Sequence, residues 1–235
     1  MQEFNKHTLA DFDRMLIELC TNEDSKLGES TQASKGCLVV RVTSKHDLTT
    51  ERGVQFVLRV ISAWCSHRRL IGAEMFLLLW VSIPCTGGSP WNRLNKMKSK
   101  ETRDKIKAHV ALFSQLFEAA KVVAQKVSDV GGVSALEWPK GRDYWKFQVV
   151  QEFIVLHGLK TMEFDGCAFG LVAQFGNEKG LPIRKPWRVD SNCEFLLQNL
   201  DRQCDDSHSH APCAGRETKV SERCCARCVL WVVSF

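Results

Sequence analysis

Apolar positions along this chain fall into short unbroken runs, separated by longer stretches in which they recur every three or four residues. Met15-Leu16-Ile17-Glu18-Leu19, Cys37-Leu38-Val39-Val40-Arg41-Val42 and Met75-Phe76-Leu77-Leu78-Leu79-Trp80-Val81-Ser82-Ile83 are runs of the first kind. They are too short to span a bilayer and suit strands of a parallel sheet buried on both faces. Val133-Ser134-Ala135-Leu136-Glu137, stopped by Pro139, gives a fourth strand, and Thr161 to Phe164 and Trp187 to Val189 give two more. Between these runs, Val54, Val57, Leu58 and Ile61 share one helical face within Thr49 to Trp64. Val110, Phe113, Phe117, Ala120, Val123 and Val127 do the same along Lys100 to Val127, which Gly131-Gly132 terminate. Tyr144 to Leu156 and Phe195 to Arg202 are further helices, and Asn22 to Lys35 reads as a turn-rich loop. The alternation predicts an α/β fold, Rossmann-like and doubly wound, with a mostly parallel sheet.

The third run matters most for chemistry. Pro84 cannot donate a ladder hydrogen bond, so the strand is expected to end there, on Cys85-Thr86-Gly87-Gly88-Ser89-Pro90-Trp91. Cys85 then lies at the carboxyl edge of the sheet, where open α/β folds place ligands and reactions. The small residues after it are expected to let a substrate approach the thiol. Glu137 falls at the matching end of the fourth strand. If those strands are neighbours, thiol and carboxylate converge on one crevice; the alternative is a packed core thiol and a surface carboxylate.

With 235 residues, 44% of them hydrophobic, the chain is long enough for one full α/β domain. The net charge of +5 is spread along its length, which permits nucleic-acid binding without demanding it. Eleven cysteines, with no basic segment and apolar core at the start, predict a reducing intracellular compartment, cytoplasm or nucleus. No membrane association and no protein partner are expected.

Two further groups of residues carry candidate chemistry. Glu18-Leu19-Cys20-Thr21-Asn22-Glu23-Asp24-Ser25 follows the first strand, where a nucleotide-type cofactor is usually held. The glycine fingerprint is absent there, and the alternative is a polar loop capping a helix through Asp24 or Ser25. Asp47, after the second strand, is open between a ribose ligand and a helix cap. Cys204-x3-His208-x-His210-x2-Cys213 offers two thiols and two imidazoles, the ligand set of a structural zinc site, against the alternative of a His-bearing surface loop. Cys224, Cys225 and Cys228 are alternative ligands. These features divide the chain into residues 1–202, the α/β domain, and 203–235, a Cys/His-rich tail with a zinc loop. Trp91 among Arg93, Lys96 and Lys98, and Trp187 among Arg184, Lys185 and Arg188, place indoles beside cations, a pattern of single-strand binding or of ordinary edge packing.

Ile83-Pro84-Cys85-Thr86 and Leu136-Glu137-Trp138-Pro139 resemble the Pro-Cys and Glu-Asn-Val signatures of DNA (cytosine-5)-methyltransferases. More closely, the chain is similar to short methyltransferase-like domains of retroelement-type polyproteins in some protists. The likeness rests on Cys85, Glu137-Trp138-Pro139, Cys167-Ala168-Phe169-Gly170, Lys185-Pro186, and Cys204 with His208 and His210, in that order over about Met15 to Gly215. It implies a class I methyltransferase fold binding S-adenosylmethionine, with Cys85 as nucleophile toward cytosine and Glu137 as the partner of a ring nitrogen. It also implies Glu18 and Asp24 near the cofactor loop, Asp47 on the adenosine side, and Arg184 or Lys185 steadying a phosphate or base. Trp138 stands where the family has asparagine, and no separate recognition domain is evident. The expected function is a minimal or degenerate cytosine methyltransferase acting on DNA or RNA; the alternative is a catalytically inactive nucleic-acid-binding module.

Overall fold

The computed structural model describes residues 12–25, 27 and 36–221. The segment before residue 12, Gly28, the suggested ligands Cys224, Cys225 and Cys228, and the end of the tail lie outside them. Six strands form one sheet in the order β2-β1-β3-β4-β6-β5: β1 (Arg14–Leu19), β2 (Cys37–Val42), β3 (Phe76–Val81), β4 (Val133–Pro139), β5 (Lys160–Asp165) and β6 (Pro186–Ser191). The pairs of β1 with β2, β1 with β3 and β3 with β4 are parallel. β6 runs antiparallel to both β4 and β5 and lies between them.

That reversed strand, which holds Trp187 to Val189, is the exception within the mostly parallel sheet. A parallel neighbour needs a crossover, usually a helix, to carry the chain back to the starting edge. Between β5 and β6 there are only single 3-10 turns, at Gly166–Phe169 and Gly176–Glu178, so the chain returns in the opposite direction. β3 also ends at Val81, three residues short of Pro84. The predicted helix over Tyr144 to Leu156 divides into a 3-10 turn, Asp143–Lys146, and a helix, Gln148–Leu156.

Strand alternation sorts the core into two layers. Met15, Ile17, Leu19, Leu77, Leu79 and Val81 face α1 (Glu51–Leu70), α2 (Lys100–Asp129) and α3 (Gln148–Leu156). Leu16, Leu78, Trp80, Ala135 and Val189 face α4 (Glu194–Leu200) on the other side. Both long helices start on side-chain caps: Thr50 accepts from the Gly53 amide and Ser99 from the Thr102 amide, satisfying donors that the first turn leaves open. Two short helices, Asn92–Asn95 and Arg216–Val220, lie outside these layers. No described helix is long and apolar enough to cross a membrane.

Candidate functional site

β3 and β4 are neighbours in register, with Trp80 opposite Ala135 and Val81 opposite Leu136. The two strands therefore deliver their ends to the same rim. There Glu18, Ser82, Cys85, Glu137, Arg142 and Lys185 line one cavity of about 290 Å³, which the Cys20–Ser25 loop and Trp187 also border. The thiol and the carboxylate expected to converge share this crevice. Cys85 is half-buried, and Glu137 is buried.

A chain of hydrogen bonds fixes Glu137. Trp80 Nε1 donates to Ser82 Oγ at 2.8 Å, and Ser82 Oγ donates to Glu137 Oε2 at 2.9 Å. Trp138 acts as a structural clamp. Its Nε1 donates to the Ile83 carbonyl at 2.7 Å, and its ring packs among Phe113, Tyr144 and Trp145. β4 is thereby tied to the residues just before Cys85. The glycines after the thiol serve packing more than access, which alters the reading from the sequence. A Cβ at Gly87 would lie 2.2 Å from the Tyr144 hydroxyl, and one at Gly88 2.7 Å from that ring. Burial, with the Cys85 thiol nearby, pushes the Tyr144 hydroxyl up to about 12.

Opposite, the loop after β1 begins on Cys20 with φ 62°, the left-handed region that favours glycine. The loop makes the turn of a glycine-rich segment without glycine. Glu18 is 5% exposed; its Oε1 accepts from Thr21 and Ser25, each at 2.7 Å. Its Oε2 has no hydrogen-bond partner among the described residues. Burial raises the Glu18 carboxyl above its ordinary value, against the pull of Thr21, Ser25 and Arg41. Asp24 also borders the cavity. Asp47 is not among the lining residues: its carboxylate accepts from the Thr49 amide and hydroxyl, in a turn leading to the Thr50 cap of α1.

The two cations offered as alternatives for a phosphate or base separate. Lys185 lines the cavity, lies over the Trp187 ring at 4.1 Å and donates to Ser221 Oγ. Arg184 is not among the lining residues; it bridges Asp165 at 3.3 Å and Asp206 at 2.8 Å. Trp187 is 3% exposed with Lys185 over its face, which leaves no open platform for a base. Trp91 is exposed, and neighbouring Arg93 pairs with Asp143. Ser82 and a second cleft of about 530 Å³, lined by Lys140, Arg142, Trp145, Lys146, Gln151 and Arg188, are not among the sites expected from the sequence. The Trp145 ring lies under the Arg188 guanidinium at 4.3 Å, and Arg142 borders both cavities. Lys140, Arg142 and Lys146 stand around Trp145 in the sequence and are a local signal for this cleft, whereas Arg188 is brought to it only by the β4–β6 pairing.

Away from the rim, a Cys/His cluster is present with one ligand changed. The ligand atoms of Cys167, Cys204, His208 and His210 all lie within 4.8 Å of one another, an arrangement that could hold a metal ion. Cys213 is not among them: its Sγ lies 3.3 Å from Ser221 Oγ, and it packs against the small cluster of Leu171, Ala173, Ile183 and Ala211. Cys167 comes instead from the turn that follows β5. Burial and the adjoining Cys204 push its thiol up to about 11. All eight described cysteines are free.

No protein-family model, no curated protein and no solved structure matches this chain.

Proposed function

We propose that this chain is a minimal cytosine-methyltransferase-like domain of class I type, acting on nucleic acid through Cys85 with S-adenosylmethionine as methyl donor. The observation that carries this reading is the shared cavity of Cys85 and Glu137 at the ends of adjacent parallel strands, with a buried acidic group across from them. A mostly parallel sheet with one reversed strand before its last parallel strand is compatible with that architecture.

The acidic side of the cavity suits the donor. S-adenosylmethionine carries a sulfonium and an ammonium charge and ribose hydroxyls, and supplies an electrophilic methyl group. The buried Glu18 Oε2 is an acceptor with no hydrogen-bond partner among the described residues, and Asp24 adds a second carboxylate on the same loop. Arg41, beside Glu18 in the sheet register, donates to the Ser25 and Leu27 carbonyls and holds that loop over the rim.

In this reading Cys85, as thiolate, adds to the ring carbon adjacent to the one to be methylated. Glu137 binds the ring nitrogen and favours its protonation, so electron density gathers at the carbon that takes the methyl group. As the methyl–sulfonium bond breaks, the donor leaves as the thioether S-adenosylhomocysteine; water then takes the proton from the methylated carbon and the carbon–sulfur bond to Cys85 breaks, which restores the aromatic ring and the thiolate. The Trp80–Ser82–Glu137 chain orients the carboxylate, and Trp138 holds the backbone leading to Cys85. Lys185 is placed to hold a phosphate or base edge. Zinc is the ion proposed for the separate Cys/His cluster, with a structural role.

Calorimetric titration with S-adenosylmethionine is the first test: micromolar binding supports the enzyme, and an absence of heat or competition removes the donor. A second reading, a nucleic-acid-binding module without turnover, is favoured by the basic cleft around Trp145. It predicts salt-sensitive binding that survives Cys85→Ser. Ion pairs already occupy Lys140 with Glu163 and Arg188 with Asp190, which reduces the charge that cleft offers.

A further inference from the structure

Residues 201–214 form no helix or strand, yet they lie against the end of β5 with Cys204, His208 and His210 half-buried. Hydrogen bonds tie the start of the segment to the end of β5: the Asp165 N–H donates to the Arg202 carbonyl at 3.2 Å, the Gln203 side-chain amide donates to the Glu163 carbonyl, and the Cys204 N–H donates to the Asp165 carboxylate at 3.1 Å. Farther on, the Ala211 N–H donates to the Pro182 carbonyl at 2.8 Å. An irregular segment with no ladder or helix of its own gains order from a further cross-link between these points. Its three ligand side chains converge on a fourth, Cys167, from the other side of the strand connection.

The separations suit one ion. Cys204 Sγ lies 3.3 Å from His210 Nε2 and 3.7 Å from His208 Nε2. Bonds of about 2.3 Å to sulfur and about 2.0 Å to nitrogen place tetrahedral ligands roughly 3.3–3.8 Å apart. Two thiols and two imidazoles fill four positions and leave none for water, the composition of a closed structural zinc site. The Asp206 N–H also donates to Cys204 Sγ at 3.3 Å, an outer contact that orients that sulfur.

We propose that Cys167, Cys204, His208 and His210 form a closed zinc site that staples residues 201–214 to the turn after β5 and thereby, through Arg184, fixes Lys185 in the wall of the rim cavity. The inference rests on the zinc reading and is independent of methyl transfer. Two zinc–sulfur and two zinc–nitrogen bonds form, and the thiol protons pass to solvent. Asp165 and Asp206 flank the ligands in the chain, and both hold Arg184. The Gly166 N–H, beside Cys167, bonds the Arg184 carbonyl. Lys185 is the next residue, and it covers Trp187 at the cavity. The ion thus reaches the cavity wall through two carboxylates, one guanidinium and one peptide.

The test uses the full chain purified under reducing conditions, with metal content measured by mass spectrometry and backbone hydrogen exchange measured before and after chelation. About one zinc per chain is expected, lost in Cys167→Ser, kept in Cys213→Ser, and restored by His210→Cys where His210→Ala loses it. Chelation is expected to speed exchange in the peptide covering 182–188 by roughly tenfold or more, with β1 and β3 unchanged. No zinc, or a Cys167–Cys204 disulfide in its place, would overturn the metal site. Zinc that depends on Cys167 while 182–188 exchanges identically with and without it would overturn the staple and leave the metal site standing.

Discussion

Cys85 and Glu137 meet because two adjacent parallel strands end side by side, whereas Cys167 meets Cys204, His208 and His210 because a turn and a distant irregular segment fold onto each other. At the rim the sheet does the positioning: register puts the ends together, Ser82 relays to Glu137, and Trp138 locks the loop. At the cluster no ladder reaches the ligands, and Asp165 is the link back to the sheet. The first site is held by backbone geometry and should survive loss of its reactive groups. The second is held by its own ligands and should loosen without them.

Substitutions at the rim separate chemistry from framework. Cys85→Ser is expected to lower methyl transfer by about 10⁴-fold or more while leaving the melting temperature and donor binding near those of the parent. A combined activity and thermal-melt assay reads both. Trp138→Ala is expected to cost about 3–5 kcal/mol of stability, because it empties a buried aromatic cluster and removes the partner of the Ile83 carbonyl. Chemical denaturation measures that loss, and a small one would show that the clamp is dispensable. Glu137→Gln is expected to reduce transfer by about 10²–10³-fold with little change in stability, since an amide still accepts from Ser82.

The smallest effect is expected at Glu18. The folded chain holds its proton more tightly than the unfolded chain does, because burial raises the carboxyl. Folding therefore loses stability as pH rises above about 4.5 and the buried charge forms. Glu18→Gln keeps an acceptor for Thr21 and Ser25 and is expected to add on the order of 1 kcal/mol near pH 7 and nothing near pH 4. Thermal melts across that range measure the difference, and equal gains at both ends would show that the charge is not what costs stability.

The contrast between the two sites also explains what the sequence can reveal. Pro84 bounds one buried run and Pro139 another, which sets Cys85 and Glu137 near strand ends, so the rim pair is legible from local pattern. The direction of β6 is legible only indirectly. Strand residues do not encode direction, but the absence of a helical pattern between Asp165 and Pro186 does imply a return. Three cluster ligands stand close together in the sequence and are legible there. Proximity in the chain points to Cys213 as the fourth, while Cys167, within Cys167-Ala168-Phe169-Gly170, needs the β5–β6 topology to bring it near. Asp47 looks like a ligand because polar residues after strands serve either ligands or turns, and Arg184 because the resemblance points to a cation at that position. In this chain Asp47 serves the turn before α1, and Arg184 bridges two aspartates.

Covalent capture by a mechanism-based cytosine analogue tests the thiol–carboxylate cleft most directly. Single-stranded and duplex DNA and RNA carrying the analogue are incubated with the full chain and S-adenosylmethionine, and the modified peptide is sequenced by mass spectrometry. The predicted result is one adduct on Cys85, dependent on the donor and absent in Cys85→Ser. No adduct with any of these substrates, or an adduct on another cysteine that persists in Cys85→Ser, would contradict it.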